Sequence, residues 1–177
     1  MLDLLFIPEV TISIGIMFVI IVDLFLQDFK KMSYFLIQII LILSAYQSLN
    51  MNYLSHYDAY ELSKFSNYIK LILIIGSIII FHYSFNHLSY VKNLKIEYFT
   101  ISLLGLVGSM VMISANSLLM LYLGIELLSL SLYALIGFNK NSPLSSEAAI
   151  KYYVLGAMSS GILLFGISII YGFTGSI

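Results

Sequence analysis

Long apolar stretches recur along the chain, and they constrain its fold more than any other feature of the sequence. About 20 apolar residues are enough to cross a bilayer as a helix, and an open chain inside a bilayer satisfies its own backbone only as a helix. The sequence predicts six such helices, at approximately residues 4–26, 32–49, 68–86, 97–115, 118–138 and 148–173. We therefore predict an all-α integral membrane protein in which residues 1–177 form a single membrane domain.

Composition supports this prediction and excludes several functions. The chain is 60% hydrophobic and 10% charged, which is more apolar than the roughly 45–50% of an average soluble domain. Eight lysines and nine acidic residues, with no arginine, give a net charge of −1, so the sequence predicts no basic surface for nucleic acid. It contains no cysteine, which excludes disulfide frameworks, thiolate zinc sites and cysteine-ligated iron–sulfur clusters within this sequence.

Lysines concentrate in the connections that follow the first, third and fifth helices: Lys30, Lys31, Lys92, Lys95 and Lys140. The opposite connections have only Lys64, with Lys70 nearby in the third helix. Lysine is enriched on the side of the membrane where the chain is retained during insertion. This asymmetry predicts that both termini face outward and that the lysine-rich connections face the matrix or cytoplasm.

Residues 50–67 form the one polar connection of any length. Tyrosine and phenylalanine are spread through it, and aromatic side chains favour the headgroup level of a membrane. We predict that residues 50–67 are an interfacial segment and not a separate domain.

Glu126 is the leading candidate for chemistry because it lies well inside the fifth predicted helix. An acid near the centre of a span costs roughly 2.5 to 3.5 kcal/mol on insertion scales, so it is expected to face a protein or water-filled interior. Tyr122, Ser129 and Tyr133 stand on the same helical face. This polar stripe predicts a proton site, for which Lys151 is the nearest candidate partner. The alternative is a neutral acid that is hydrogen-bonded to a neighbouring helix.

Polar residues open the sixth helix with a capping pattern. Ser142 followed by Pro143 is typical of a helix start, and Glu147 with Lys151 has the favourable i, i+4 order for an ion pair. A role in proton transfer and an interfacial ion pair both fit these two charges. Further along, Gly156 belongs to a small-residue spacing that permits close helix packing.

Four further charged residues lie near predicted helix ends. Glu97 opens the fourth helix, where the helix dipole explains part of its placement, and we keep it as a candidate for function. Lys70 is placed to extend outward along its flexible stem, and a functional role is the alternative. Glu9 and Asp23 are predicted to be interfacial charges.

The second half of the chain resembles a known family. The ungapped run from Ser114 to Ile177, which contains LYLGIELLSLSLYALIGFNKNSPLSSEAAIKYY, closely resembles the middle of the NADH dehydrogenase subunit 2 family, an antiporter-like proton-pumping family of respiratory complex I. Upstream, the segments IPEVTISIGIMFVIIVDLF, KFSNYIKLILII and EYFTISLLGLVGSM resemble the first, third and fourth helices of that family. The resemblance therefore covers nearly the whole chain in order.

The resemblance implies roles for individual residues. Glu126 matches an essential glutamate that belongs to a buried carboxylate and lysine pair. Glu97 matches the acid at the start of the fourth helix, and Glu147 and Lys151 match the pair that opens the sixth. These four residues are the proton-path candidates, with Glu126 foremost. Ser131 stands where the family usually has proline, so the resemblance does not imply a kink there.

Length is the largest departure from the family. Its members typically have about fourteen helices, including two inverted repeats of about five helices each, whereas this sequence predicts six. The resemblance thus implies the N-terminal part of an antiporter-like helix bundle, from a split or truncated subunit. A separate chain is expected to supply the missing helices and the lysine partner of Glu126.

The implied function is proton translocation, as a membrane-arm subunit of NADH:ubiquinone oxidoreductase in the mitochondrial inner membrane. The absence of Arg, Cys and Trp also indicates an AT-rich genome such as a mitochondrial one. Lipid and other membrane-arm subunits are the expected partners, while FMN, iron–sulfur clusters and quinone are expected in other subunits and no cofactor in this chain. Two alternatives stay open: a non-conducting structural or assembly subunit of the same complex, and a subunit of a sodium/proton antiporter.

Overall fold

The computed structural model describes residues 8–25, 30–50, 55–57, 60–90 and 96–175. Within these residues there are six α-helices: α1 Pro8–Phe25, α2 Lys30–Asn50, α3 Lys64–Tyr90, α4 Ile96–Ile113, α5 Leu118–Ile136 and α6 Pro143–Thr174. All six are long and apolar enough to cross a membrane. The prediction of an all-α membrane bundle with six spanning helices is confirmed. Lys92 and Lys95, on which the predicted orientation partly rests, lie outside the described residues.

The third helix begins before its predicted start at residue 68, because two serines cap it. The backbone N–H of Ser66 donates to the Ser63 hydroxyl at 3.1 Å, and the N–H of Ser63 donates to the Ser66 hydroxyl at 3.1 Å. This reciprocal arrangement satisfies backbone groups that the first turn of a helix otherwise leaves unpaired. The turn that carries Lys64 is polar, so a search for apolar residues does not include it.

The sixth helix shows the same effect. Its span was predicted to begin at residue 148, but the helix begins at Pro143, where the capping pattern predicts it. Ser142 accepts a hydrogen bond from the backbone N–H of Ser145 at 3.4 Å, and proline is favourable in the first turn because it needs no N–H partner there. The capping pattern therefore predicted the start of α6 more accurately than the extent of the apolar run did.

A small β-hairpin lies inside the predicted interfacial segment. Strand β1 (Ser55–Tyr57) pairs antiparallel with β2 (Tyr60–Leu62). The hairpin is also attached to the link between α4 and α5, since the N–H of Glu61 donates to the Ser114 carbonyl at 2.9 Å and Tyr60 forms a β-bridge with Ala115. Nothing in the sequence predicted these strands, because three residues are too few to show an alternating pattern.

The first four helices share one hydrophobic core. Its buried side chains are Ile12, Ile16, Val19, Tyr34, Ile37, Leu41, Ile74, Phe81, Ile96, Phe99, Leu103, Val107 and Met110. Helix α5 packs mainly against α4, and α6 packs against α5. Within α6 only Ile167 is buried, so this helix forms the outer edge of the bundle.

Helices α4 and α5 approach backbone to backbone at two glycines. A Cβ atom on Gly108 would lie 2.7 Å from the backbone nitrogen of Leu128 and 2.9 Å from the carbonyl oxygen of Gly124. A Cβ atom on Gly124 would lie 2.6 Å from Cγ of Met112. Small residues allow this kind of close approach between membrane helices. The contact fixes which face of α5 is turned toward α4.

Candidate functional site

Glu126 lies on the side of α5 that faces away from α4. The face in contact with α4 contains Gly124, Leu128 and Ser131. Because an α-helix turns about 100° per residue, Glu126 and the other residues of its stripe lie nearly opposite to this face. The predicted polar stripe is thus turned toward α6 and toward the open edge of the bundle.

The Glu126 side chain is only partly exposed, and one of its oxygens has no partner. The residue as a whole is half-buried, while its Oε2 atom is buried and makes no hydrogen bond within the described part of the chain. Buried polar atoms are rarely left without partners in folded proteins. The carboxyl group therefore needs a proton, a water molecule or a group from another helix at this position.

Tyr133, at the C-terminal end of the same stripe, joins α5 to α6. Its ring packs edge-on against Tyr152, with ring centroids 5.2 Å apart, and against Tyr153 at 5.6 Å. A Cβ atom on Gly156 would overlap the Tyr133 hydroxyl oxygen. Gly156 therefore permits close packing, as predicted, but the group that packs against it is the Tyr133 phenol and not the backbone of another helix.

Substitution of Gly156 by alanine is expected to displace the Tyr133 phenol, since a Cβ atom cannot occupy the place of the hydroxyl oxygen. The phenol is the free end of a side chain and can rotate, so we expect a stability loss of about 1 kcal/mol, at the low end of the range for overpacking. Tyrosine ultraviolet absorption and circular-dichroism melting would measure the two effects. Gly166→Ala on the same helix, where no atom lies within 4 Å, is the matched control, and equal spectra for both variants would contradict this placement of Tyr133.

Lys151 does not contact Glu126 in this structure. Its Nζ atom lies 2.5 Å from Oε1 of Glu147, and the two side chains are 70% and 59% exposed. The predicted i, i+4 pair is therefore present. Exposed pairs of this kind contribute roughly 0.2–1 kcal/mol, so the geometry alone assigns it a minor structural effect.

Glu97, the fourth proton-path candidate, is exposed in the first turn of α4. A carboxylate there is favoured by the positive end of the helix dipole. The structure does not bring it to Glu126, Glu147 or Lys151 through any ion pair within the described residues. Its role in a proton path stays a prediction.

The predictions for Glu9 and Lys70 were wrong. Lys70 does not extend outward, and Glu9 is not an interfacial charge: the Lys70 ammonium lies 2.6 Å from Oε1 of Glu9, and the two side chains are 0% and 7% exposed. Glu9 lies in the first turn of α1 and Lys70 in the second turn of α3, and these helices begin at the same end of the bundle, where opposite charges can stabilise each other when buried. The sequence indicated only that both charges lie near the starts of their helices. Which helices become neighbours is decided by tertiary packing, so the ion pair was not predicted.

Comparison with protein families supports the resemblance found in the sequence. Residues 115–177 match the family described as NADH:quinone oxidoreductase/Mrp antiporter, TM. The chain is 39% identical over 175 residues to the NADH-quinone oxidoreductase subunit N of Ruthia magnifica, covering 96% of this chain and 36% of that protein. It is 38% identical over 175 residues to subunit N of Pelagibacter ubique, covering 96% of this chain and 37% of that one. The chain thus spans a little over a third of these relatives.

Two solved structures share the fold. A chain of respiratory complex I from Thermus thermophilus superimposes with a TM-score of 0.76 at 23% identity, over 96% of this chain and 37% of that one. A chain of the membrane-bound sulfane sulfur reductase, an archaeal respiratory membrane complex, superimposes with a TM-score of 0.79 at 23% identity, over 99% of this chain and 38% of that one. At this identity the similarity establishes the fold.

Proposed function

Because residues 115–177 of this chain match the family described as NADH:quinone oxidoreductase/Mrp antiporter, TM, we propose that the chain is the first part of a proton-translocating membrane subunit of an NADH:quinone oxidoreductase. The observation that carries the proposal is Glu126, a half-buried acid in an apolar helix whose Oε2 atom has no partner within the described residues. The subunit N relatives support the choice of enzyme. Redox chemistry belongs to other subunits.

The proposed chemistry at Glu126 is reversible protonation. An apolar surrounding favours the neutral acid, whereas a nearby cation favours the carboxylate. A lysine that approaches Glu126 in one state of the enzyme and withdraws in another would therefore make the acid release and take up a proton. Lys151 pairs with Glu147, so the cation that controls Glu126 is expected from helices beyond α6.

The open edge of the bundle has room for those helices. The Glu126 stripe is turned away from α4, and α6 is largely exposed, with Leu155, Ile162 and Phe165 among its exposed apolar side chains. The relatives extend well beyond the part that this chain matches. The completing helices are supplied either by continuation of this polypeptide or, as the sequence analysis predicted, by a second chain.

Affinity purification of the tagged protein in mild detergent tests the assignment. We expect the redox subunits of an NADH:quinone oxidoreductase to copurify, and intact-mass measurement of the purified components to identify the polypeptide that carries the completing helices. Multi-subunit sodium/proton antiporter partners, with sodium-driven proton exchange that needs no NADH, would contradict the proposal. A purified complex without any lysine-bearing helices to complete the bundle would support the structural alternative.

The proposed location is an energy-transducing membrane. Six spanning helices within the described residues make the chain a multi-pass membrane protein. Its AT-rich type of composition favours the mitochondrial inner membrane, whereas the two subunit N relatives are bacterial. Fractionation of the source cells, with the tagged chain followed by immunoblot, decides between these membranes.

A further inference from the structure

A second buried acid lies at the end of the bundle where α1 and α3 begin. Glu9 of α1 and Lys70 of α3 form the ion pair at 2.6 Å, and the Lys70 ammonium also donates to the Tyr60 hydroxyl oxygen of β2 at 3.2 Å. We call these three residues the Glu9–Lys70 site. The Lys70 side chain is completely buried, which is unusual for lysine and requires compensation by its partners.

The hairpin closes this site. Tyr60 belongs to β2, in the connection between α2 and α3, and the β2 backbone is held by its bonds to Ser114 and Ala115. The Ser114 hydroxyl also lies beside the Tyr60 phenol. The hairpin therefore sets the position of the phenol beside the ion pair.

Two groups of the site stabilise the negative charge of Glu9. Both of its carboxylate oxygens are buried, and the Lys70 ammonium and the Tyr60 phenol are the donors beside them. A carboxylate that stays ionised in a protein interior is usually supported by two or three such donors. Glu9 is at the low end of this range, and its ionised form depends on Lys70 and Tyr60.

Lys70 would keep partners if Glu9 became neutral. Its Nζ atom is bonded to the Tyr60 hydroxyl oxygen and lies 5.2 Å from the centroid of the Tyr60 ring, within the range of a cation–π interaction. Burial, and then the Glu9 carboxylate, raise the pKa of the Tyr60 phenol well above its ordinary value. The phenol therefore stays protonated and can serve both charged groups.

We propose that the Glu9–Lys70 site is a second proton-binding site of this chain, in which Glu9 takes up a proton from the hairpin end while Lys70 stays charged. The proton comes from solvent water and forms an O–H bond on a carboxylate oxygen of Glu9. Tyr60 holds the ammonium while Glu9 is neutral. Lys70 is paired with Glu9, and Oε2 of Glu126 has no partner within the described residues, so the two acids are separate sites.

Infrared spectroscopy on the full chain in lipid vesicles tests this inference. Between about pH 8 and about pH 4, we expect the wild-type chain to gain a protonated-carboxyl band that Glu9→Gln removes. The double variant Glu9→Gln/Lys70→Met should take up about one proton fewer per chain, because the titrating acid is absent. It should also stay folded, since neutral groups of similar shape commonly replace a buried ion pair.

Two further variants keep the result decisive. In Lys70→Met the cation that favours the carboxylate is gone, so the Glu9 band should be present already at the high end of the pH range. Glu9→Asp keeps an acid and should shift the band and its midpoint without abolishing it. Folded wild-type, Glu9→Asp and double-variant chains with identical carboxyl bands and equal proton uptake would overturn the inference and leave a structural ion pair.

Glu126→Gln separates this inference from the proposed function. That variant should leave the Glu9 band and its midpoint unchanged, because the two acids share no partner. If Glu126→Gln leaves proton pumping intact while the Glu9 band titrates as expected, the proposed function fails and the second site stands. If Glu126→Gln abolishes proton pumping but the Glu9 band does not titrate, only the second site is overturned.

Discussion

Replacement of Glu126 by glutamine is expected to lower NADH-driven proton translocation by about 10-fold or more, since a positioned proton-transfer group typically contributes about 10²-fold or more. Glutamine keeps the size and the carbonyl oxygen of the acid but cannot bind or release a proton. The enzyme should therefore assemble with the helix unchanged. The initial rate of pH-dye quenching in inverted membrane vesicles measures the effect, and native electrophoresis measures assembly.

Two variants frame this experiment. Glu126→Asp keeps a titratable group and should retain part of the activity. Asp23→Asn makes the same acid-to-amide change in α1, where the Asp23 carboxylate accepts a hydrogen bond from the Ser33 hydroxyl at 3.2 Å, and an amide oxygen can accept that bond as well. We expect Asp23→Asn to pump at close to the wild-type rate. A fully assembled Glu126→Gln enzyme that pumps normally would assign Glu126 a structural hydrogen bond instead.

Insertion energetics explain why the spanning helices could be predicted from sequence. Each span needs about 20 consecutive apolar residues, whose backbone groups form hydrogen bonds within the helix. Such a run can be recognised from the local sequence alone. The ends of the helices obey a different rule. Lys64 and Pro143 begin helices that are polar in their first turn, and serine hydrogen bonds, not hydropathy, decide where those helices start.

The chemistry was predicted only in part, because the missing information is tertiary. The stripe around Glu126 follows from helical spacing alone, and the face that carries it is the one turned away from α4. By contrast, the ion pair between Glu9 and Lys70 depends on which helices become neighbours and on the hairpin that covers them. No local pattern encodes either, so each charge viewed alone was predicted to reach the membrane surface.

The orientation of Glu126 depends in turn on the glycine contact between α4 and α5, which leads to the second large expected effect. In Gly108→Ala, the new Cβ atom would lie 2.7 Å from the Leu128 nitrogen and 2.9 Å from the Gly124 carbonyl oxygen. Both are backbone atoms, which cannot rotate away as a side chain can, so the two helices must separate along this contact. Overpacking of this kind costs about 1–3 kcal/mol.

Gly76→Ala on α3 is the matched control for Gly108→Ala. It places the same methyl group where no atom lies within 4 Å, and alanine favours a helix over glycine by up to about 1 kcal/mol. Circular-dichroism melting of the chain in lipid discs should give a lower Tm for Gly108→Ala than for the wild type, and an equal or higher Tm for Gly76→Ala.

Because α5 carries Glu126, the Gly108 variant should also reduce proton translocation in the assembled enzyme. Equal melting of the two variants would show that α4 and α5 tolerate a wider separation, and the orientation of the polar stripe would then have to be set by α6.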